Sequence, residues 1–308
     1  MVSVIIPNYN HAPYLKQRID TVLAQTYREF EVIILDDCST DNSRDVIAGY
    51  KGHPQVSHVI FNERNSGSTF IQWQKGIELA KGKYIWIAES DDWCEPTLLQ
   101  TLVEGLEAKP NAVLGYVQSS IVFGSNDIDQ VSSSPSLFEY VAGREYVSDY
   151  LAKKNSIFNA SMAVFKKDCY WHVPPSFTSF KFCGDWLFWN GIAQQGDVFI
   201  SGKVLNYFRK HANDVTAKTL HTGGNFTEEL QVLENLFAGH FINDRQYKVR
   251  LLEMYTGYVL NRKRFTAEMQ KNINYAFVNA GGQNNKYFLF WRVNRFTIFI
   301  LKVKRRLK

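Results

Sequence analysis

Three acidic residues at the end of an apolar segment are the part of this sequence best suited to chemistry. Glu89, Asp91 and Asp92 follow a short apolar run, residues 84–88, that is typical of a buried strand. Carboxylates this close together repel one another unless a cation or hydrogen-bond donors compensate them. Oxygen ligands of this kind suit Mg²⁺ or Mn²⁺, which proteins commonly hold with one or two carboxylates and the phosphates of a substrate. The alternative is a solvated acidic turn, and the preceding sequence decides between the two.

The segments before the acidic run alternate between strand and helix patterns. Apolar runs rich in β-branched residues predict strands at residues 2–6, 30–35 and 56–61. Helical spacing of apolar residues predicts a helix after the first strand and another over residues 68–80. Pro7 is expected to end the first strand because it cannot donate a backbone hydrogen bond.

Buried strands that alternate with helices favour a parallel sheet with both faces covered. In such sheets ligands bind beyond the carboxyl ends of the strands. Each predicted strand is followed by a polar cluster, and these clusters occupy residues 8–10, 36–41, 62–67 and 89–92. All four clusters are therefore expected to lie together at the carboxyl edge of the sheet.

The polar clusters also carry a family resemblance. In chain order they read IIPNYN, LDDCSTDNS, NSGS and AKGKYIWIAESDDW. This order resembles the inverting family-2 glycosyltransferases, closely over residues 1–95 and more loosely to position 216. The resemblance implies an α/β fold of the GT-A type, a mostly parallel sheet flanked by helices. It divides the chain into a nucleotide-sugar-binding half (1–95), an acceptor-binding half (96–216) and a C-terminal helical region (217–308).

The resemblance assigns the nucleotide to the first two clusters. Pro7, Asn8, Tyr9 and Asn10 match the loop that receives the base and the ribose. Tyr9 is expected to stack on a pyrimidine ring, a contact worth about 1–3 kcal/mol. Asp37 is expected to accept the ring N–H of uracil or thymine, since N3 of cytosine carries no hydrogen. The expected donor is therefore a UDP-sugar.

The resemblance assigns the metal and the diphosphate to the acidic run and to a later segment. Asp91 and Asp92 match the family's metal motif, with Asp92 as the direct ligand and Asp91 nearer the ribose. His211 is a candidate third ligand, and the alternative is an ordinary loop histidine. Arg209 is expected either to pair with phosphate oxygens or to extend its stem along a strand edge.

Two nearby positions need separate interpretation. Relatives often carry an Arg–Asn pair on the helix after the third strand, where this chain has Trp73 and Gln74. Lys75 is the expected substitute at the phosphate. Asp36, in contrast, is expected to bond local backbone amides, as Asp often does in turns.

Glycosyl transfer needs a second acidic group apart from the metal. Charge builds up on the diphosphate as the sugar–phosphate bond breaks, and a divalent ion stabilises it. The acceptor hydroxyl loses its proton on the opposite side of the anomeric carbon, so the displacement inverts the sugar and requires a base. The resemblance implies Asp185 as this base, although Gly184 replaces the acid that usually precedes it. The alternative is that Asp185 caps the following helix.

The rest of the chain gives weaker patterns. Residues 156–165 predict a strand beneath the acceptor site, and residues 115–136 predict a loop or a mobile flap. Helical spacing then returns, and it predicts helices over residues 226–241, 246–261 and 266–280.

The C-terminal tail, residues 286–308, combines aromatic and basic residues and has no acid, although the whole chain carries a net charge of only +5. Such a segment favours a helix on an anionic membrane surface, and the alternative is a helix packed on the protein. The expected acceptor is a glycan or lipid-linked saccharide of a bacterial-type surface polysaccharide, at the inner face of the cell membrane. Nucleic-acid binding is disfavoured because the basic residues are confined to the tail.

Composition fits a cytoplasmic globular protein. The four cysteines lack paired spacing, which disfavours a zinc site or a disulfide framework and suits a reducing compartment. The N-terminal apolar run is too short for a signal peptide. No segment approaches the ~20 apolar residues that a membrane span needs.

Two rival classes of function remain. A dinucleotide-dependent oxidoreductase requires Gly-x-Gly-x-x-Gly after the first strand, but residues 8–13 contain no glycine. The second rival is a catalytically silent sugar- or membrane-binding module, because a fold does not determine a function. The acidic pair together with a candidate base counts against this second class.

Overall fold

The computed structural model describes residues 1–123, 127–211 and 223–281. The chain divides into two compact units, Met1–His211 and Ala212–Lys308. The first unit contains, in chain order, β1 (Val2–Asn8), α1 (Ala12–Leu23), β2 (Phe30–Asp36), α2 (Ser43–Ala48), β3 (Val56–Phe61), α3 (Thr69–Leu79), β4 (Tyr84–Ile87), β5 (Trp93–Cys94), α4 (Leu98–Ala108), β6 (Ala112–Phe123), β7 (Asp127–Val131), β8 (Phe138–Val141), α5 (Gly143–Tyr146), β9 (Ala163–Lys166), α6 (Gly184–Ala193) and β10 (Asp197–Lys210).

The strands of the first unit form a ten-stranded sheet whose main path runs β3-β2-β1-β4-β9-β6-β10-β5. The first four strands are parallel, as the sequence predicts. β1, β2 and β4 are buried along their whole length, which explains why they are continuous apolar runs. β9 pairs antiparallel with both β4 and β6, so the sheet as a whole is mixed.

Pro7 does not end the first strand, contrary to the prediction. β1 continues to Asn8, which lies opposite Asp36 of β2. Backbone groups of a strand point alternately to its two neighbours, and Ile5 faces β4 because its carbonyl accepts from Ala88. Pro7 therefore also faces that side, beyond Ile87, where β4 has already ended. No ladder hydrogen bond is lost, so the proline is tolerated in a central strand.

Two predictions for the second half of this unit are wrong. Residues 115–136 contain most of β6 and all of β7, which pair as an antiparallel hairpin rather than forming a loop. In the segment 156–165 only the end is a strand, because residues Ala160–Met162 form a 3₁₀ turn. Polar side chains of this turn bond into the acidic run, a long-range contact that local patterning does not reveal.

Helix α6 packs against α3 through aromatic side chains. Trp189 is fully buried, and its ring lies 6.2 Å from that of Trp73 on α3. Phe188 and Phe165 complete the cluster, with ring centroids 5.2 Å apart. This contact places the start of α6 near the loop that precedes α3.

The second unit contains three described helices, α7 (Gly224–Ala238), α8 (Asp244–Asn261) and α9 (Ala267–Ala280), close to the predicted ranges. Phe226, Tyr258 and Phe277 form its aromatic core. Among the described residues, none of the helices has the length and apolarity that a membrane crossing requires. The tail at residues 286–308 lies outside the described residues.

Candidate functional site

The loops after β1 and β2 are joined by side-chain hydrogen bonds at the carboxyl edge of the sheet. The Asn8 amide donates to Asp36 Oδ1 (2.8 Å) and Ser39 Oγ (3.1 Å). Asn10 Oδ1 accepts from the backbone N–H of Thr40 at 2.7 Å. Asp36 also accepts from Ser39 N–H at 3.1 Å, which confirms its predicted local role. These bonds make one preformed cradle from two segments far apart in sequence.

The cradle leaves two groups suited to a ligand. Tyr9 is 46% exposed, so its ring is accessible for stacking. Asn8 Oδ1 is buried and has no hydrogen-bond partner among the described residues. A buried acceptor without a donor is unfavourable unless a ligand or water supplies one.

Asp37 organises the loop after β3. One of its oxygens accepts from the amides of Asn62 (2.8 Å) and Gln72 (3.0 Å). The other accepts from the Ser66 hydroxyl at 2.7 Å. Both oxygens are thus bonded to the protein, and the predicted contact of Asp37 with a base stays a prediction. Lys75 lies in the same network, with Nζ 2.5 Å from Asn62 Oδ1.

Glu89 occupies the partly buried end of β4. Its carboxylate accepts from the indole N–H of Trp73 at 2.8 Å, at the helix position where relatives carry the Arg. Its backbone carbonyl accepts from Arg18 Nε at 2.8 Å. Burial and the nearby negative charge of Asp91 raise the pKa of Glu89 to about 8. Glu89 is therefore protonated more readily than an ordinary glutamate.

Asp92 lies in the interior. Asn159 and Ser161 donate to its Oδ2 at 2.5 Å and 2.6 Å, and Arg209 N–H donates to its Oδ1 at 3.0 Å. The guanidinium of Arg18, itself fully buried, lies 3.8 Å from Asp92 Oδ2. Burial and the charge of Asp91 raise the pKa of Asp92. Because its oxygens face protein donors, this geometry does not favour the prediction of Asp92 as the direct metal ligand.

Asp91 faces two histidines instead. His11, Asp91 and His211 each offer a ligand atom, and the three atoms all lie within 4.8 Å of one another. His211 Nε2 is 3.1 Å from Asp91 Oδ2. Burial alone would raise the pKa of Asp91, but the hydrogen bond from His211 and the charges of both histidines lower it. One carboxylate and two imidazoles are a donor set that fits a divalent metal.

His11 is the site residue that the sequence analysis missed. It directly follows the loop of residues 7–10 and precedes α1, so its position at a strand end is the only local signal. Its proximity to Asp91 depends on β1 and β4 being neighbours in the sheet.

Arg209 is placed differently from the prediction. Its guanidinium carbon lies 4.7 Å and 4.4 Å from the ring centroids of Tyr14 and Trp93. Nε donates to the backbone carbonyl of Asp91 at 2.9 Å, and a terminal nitrogen donates to Gln17 at 2.8 Å. With 7% exposure, Arg209 holds the acidic run in place, and its predicted contact with phosphate stays a prediction.

Asp185 lies in the first turn of α6. Its carboxylate accepts from the Asn155 amide and from the Trp186 N–H, both at 2.8 Å. The N-cap position belongs to Cys183, so Asp185 is inside the helix rather than at its cap. A Cβ at position 184 would lie 2.5 Å from Phe70 and 2.6 Å from the Phe177 carbonyl oxygen, so the packing here requires glycine.

Contacts before α6 bring this helix to the same edge of the sheet. Lys181 Nζ donates to the Gly67 carbonyl at 2.9 Å, and Ser68 Oγ donates to the Thr178 carbonyl at 3.4 Å. Gly67 and Ser68 belong to the loop between β3 and α3. The segment that precedes the candidate base, Asp185, therefore contacts the loop that Asp37 organises.

The chain is similar to known proteins in sequence and in fold. The model of the family described as Glycosyl transferase family 2 matches residues 3–173. The chain is 29% identical over 181 residues to the glycosyltransferase GlyG of Streptococcus pneumoniae, covering 59% of this chain and 56% of GlyG. It is 31% identical over 140 residues to the putative teichuronic acid biosynthesis glycosyltransferase TuaG of Bacillus subtilis, covering 46% of this chain and 55% of TuaG. The chain thus spans about half the length of the curated relatives it matches.

Solved structures show the same fold. S. aureus TarS 1–349, in complex with UDP-GlcNAc, superposes with a TM-score of 0.67 at 18% identity, over 91% of this chain and 81% of that chain. The mannosyltransferase PcManGT from Pyrobaculum calidifontis, in complex with GDP-Man and Mn²⁺, gives a TM-score of 0.52 at 15% identity, over 92% of this chain and 86% of that chain. The GT-A fold implied by the sequence resemblance is confirmed.

Proposed function

This chain belongs to glycosyl transferase family 2, and on that premise we propose that it is an inverting, metal-dependent glycosyltransferase. It would move a sugar from a nucleotide sugar to a hydroxyl of a glycan or lipid-linked acceptor in surface polysaccharide synthesis. The observation that carries the proposal is the meeting of Asp91, His11 and His211 beside the loop of residues 7–10. This cluster and the cradle formed by the loops after β1 and β2 share one edge of the sheet, which supports binding of a metal and a nucleotide side by side.

The expected donor is a UDP-sugar. The exposed ring of Tyr9 supports stacking on a base, and the unpartnered Asn8 Oδ1 supports a hydrogen bond from the nucleoside. Asp37 would complete base recognition, although its oxygens now bond the loop after β3. TarS, a structural relative, binds UDP-GlcNAc.

Asp91 and His211 are the residues that would hold Mn²⁺ or Mg²⁺. A bound divalent ion would neutralise the charge that develops on the diphosphate leaving group. Asp92 supports this site from the interior, since its bonds to Asn159 and Ser161 fix the turn that carries Asp91. Arg209 holds the same turn through the Asp91 carbonyl.

Asp185 is the proposed general base. Its carboxylate would take the proton of the acceptor hydroxyl while that oxygen bonds to the anomeric carbon and the sugar–phosphate bond breaks. The nucleoside diphosphate leaves from the opposite face, so the sugar's configuration inverts. Asn155 orients the carboxylate through its 2.8 Å hydrogen bond.

Turnover and donor binding test the proposal separately. Nucleoside diphosphate release from a panel of nucleotide sugars with Mn²⁺ should identify the donor and exclude a silent module. Asp185→Asn should bind that donor as tightly as the wild type in isothermal titration yet lose about 10²–10⁴-fold in turnover. Asp168→Asn, at an exposed site, is the matched control. Full turnover by Asp185→Asn would remove Asp185 from this role.

The tail at residues 286–308, outside the described residues, is proposed to bind the anionic inner face of the cell membrane. Its mixture of aromatic and basic residues supports this. The full chain should sediment with vesicles that contain anionic lipid and not with neutral vesicles. Equal sedimentation with both would contradict an electrostatic anchor.

A further inference from the structure

Three segments that are distant in sequence supply the half-buried cluster. His11 comes from the loop after β1, Asp91 from the turn after β4, and His211 from the end of β10. Asp91 and His211 belong to the metal site already proposed. His11 is assigned no metal-binding role there, yet its ligand atom lies within 4.8 Å of the other two.

The ring of His11 is held by its surroundings. Its Nδ1 lies 2.8 Å from the hydroxyl of Ser90, the residue beside Asp91 in the chain. Metal-binding histidines commonly have their ring orientation and tautomer fixed by such an outer contact. The ring centroid lies 5.5 Å from that of His211, at an interplanar angle of 86°. Both imidazoles therefore converge on one place from different directions.

Tyr14 supports the two histidines together. Its ring stacks on His211 at 5.3 Å and meets the edge of His11 at 6.2 Å. The guanidinium of Arg209 packs on the ring of Tyr14 and also donates a hydrogen bond to the Asp91 carbonyl. The three residues thus share one supporting framework of packed side chains.

We propose that His11 is a metal ligand, and that this donor set selects Mn²⁺ and Co²⁺ over Mg²⁺. The inference rests on the metal site of the proposed function and adds both a ligand and a metal preference to it. Mg²⁺ requires oxygen ligands in octahedral geometry and retains several waters. Imidazole nitrogen favours transition metals, with affinity rising from Mn²⁺ to Co²⁺. Replacing an oxygen ligand by a second imidazole therefore moves the preference away from Mg²⁺.

The test compares metal affinities of the full chain without donor or acceptor. Chelator-treated wild type, His11→Ala and His172→Ala are titrated calorimetrically with Mn²⁺, Co²⁺ and Mg²⁺. His172 is exposed and outside the cluster, so its variant is the matched control. Visible absorption of bound Co²⁺ adds a readout of nitrogen ligation, and thermal unfolding checks that each variant is folded.

His11→Ala should weaken Mn²⁺ and Co²⁺ binding by about tenfold or more, change Mg²⁺ binding less, and alter the Co²⁺ spectrum. A uniform loss for all three ions would show a merely structural role and overturn the inference. Wild-type affinity in His11→Ala would also overturn it, while leaving Asp91 and His211 as ligands. Failure of the wild type to bind Mn²⁺ both alone and in the presence of UDP would instead overturn the metal dependence in the proposed function.

Discussion

Glu31 and the acidic run lie at opposite ends of the same parallel strands. At the amino edge, Glu31 accepts from the Ser3 hydroxyl (2.6 Å) and from the Lys81 N–H (2.7 Å). Gly82 N–H donates to the same hydroxyl at 2.8 Å. Burial alone would raise the pKa of Glu31, but these hydrogen bonds outweigh burial and lower it. A single buried carboxylate with matched donors is a structural element.

The carboxyl edge gathers three acids within four residues. Glu89 and Asp92 have raised pKa values because burial and the charge of Asp91 both oppose their ionisation. Repulsion of this kind reduces stability unless a cation is bound. The comparison shows that matched donors lower the pKa of an isolated buried carboxylate, whereas burial beside another acid raises the pKa values of Glu89 and Asp92. Within the carboxyl edge, Asp92 resembles Glu31 because it accepts from several protein donors, and Asp91 is the acid proposed to hold a cation.

The largest expected effect is that of Asp92→Ala. It removes the anion from the buried Arg18 and leaves the Asn159 and Ser161 donors without their acceptor. Breaking such a buried pair costs about 3–5 kcal/mol in the free energy of unfolding. Urea unfolding in the presence of chelator measures this. An ordinary single hydrogen bond is worth about 1 kcal/mol. A loss smaller than this would show that Asp92 is not a structural carboxylate like Glu31 and would break the comparison.

Gly82→Ala tests the packing of the amino edge. A Cβ at Gly82 would lie 2.6 Å from Ser3 N and 2.8 Å from the Val2 carbonyl carbon, which are backbone atoms that cannot turn aside. We expect a loss of about 1–3 kcal/mol in the free energy of unfolding. The matched control is Gly257→Ala within α8, where no described atom outside the helix's own backbone lies within 4 Å of an added Cβ and alanine should stabilise the helix. Metal affinity should be unchanged in both variants, and a change with Gly82→Ala would couple the two edges.

Glu31→Gln sharpens the comparison through pH. The pKa of Glu31 is lowered from its ordinary value of 4.5, so the ionised group stabilises the fold above pH 4.5 and this contribution is lost as pH falls through the folded-state pKa. The variant should be less stable than the wild type by about 1 kcal/mol at pH 7. Melting temperatures measured from pH 7 down to pH 3 should converge below pH 4.5. A constant difference over that range would show that the charge of Glu31 is irrelevant.

Asp91→Asn should have the smallest effect on stability. The lost hydrogen bond to His211 is offset by relief of repulsion with Glu89 and Asp92, so we expect a change within about 0.5 kcal/mol in chelator. Mn²⁺ should raise the melting temperature of the wild type and leave that of the variant unchanged. Destabilisation as large as that of Asp92→Ala would show that both aspartates have the same structural role.

Much of the first half of the fold follows from patterning. The predicted strands at residues 30–35, 56–61 and 84–88 each differ from the observed ones by at most one residue at an end. The strand predicted over residues 156–165 overlaps β9 only at its end, and the 3₁₀ turn before β9 escaped prediction, since such short elements leave little period to detect. Their structure depends on partners from β4 and β6.

The site was predictable as a place and not as a set of contacts. Strand ends identify the loops that meet, because the carboxyl ends of parallel strands share one edge. The contacts of Arg209 and His11, in contrast, could not be predicted, because neither residue type indicates which residues will pack beside it. Arg209 is held between two aromatic rings, and His11 reaches Asp91 only because β1 and β4 are adjacent.

The amino-acid order by itself determined that apolar strands would bury themselves in parallel and bring their polar ends to a common edge, because that outcome depends on local periodicity. Only the tertiary structure decided which of the two residues, Asp91 or Asp92, would be bonded in the interior and which would face the two histidines. That choice depends on donors from residues 159, 161 and 209, which folding brings to Asp92 and not to Asp91. Hydrogen bonds of such long sequence separation leave no trace in the local pattern of residues.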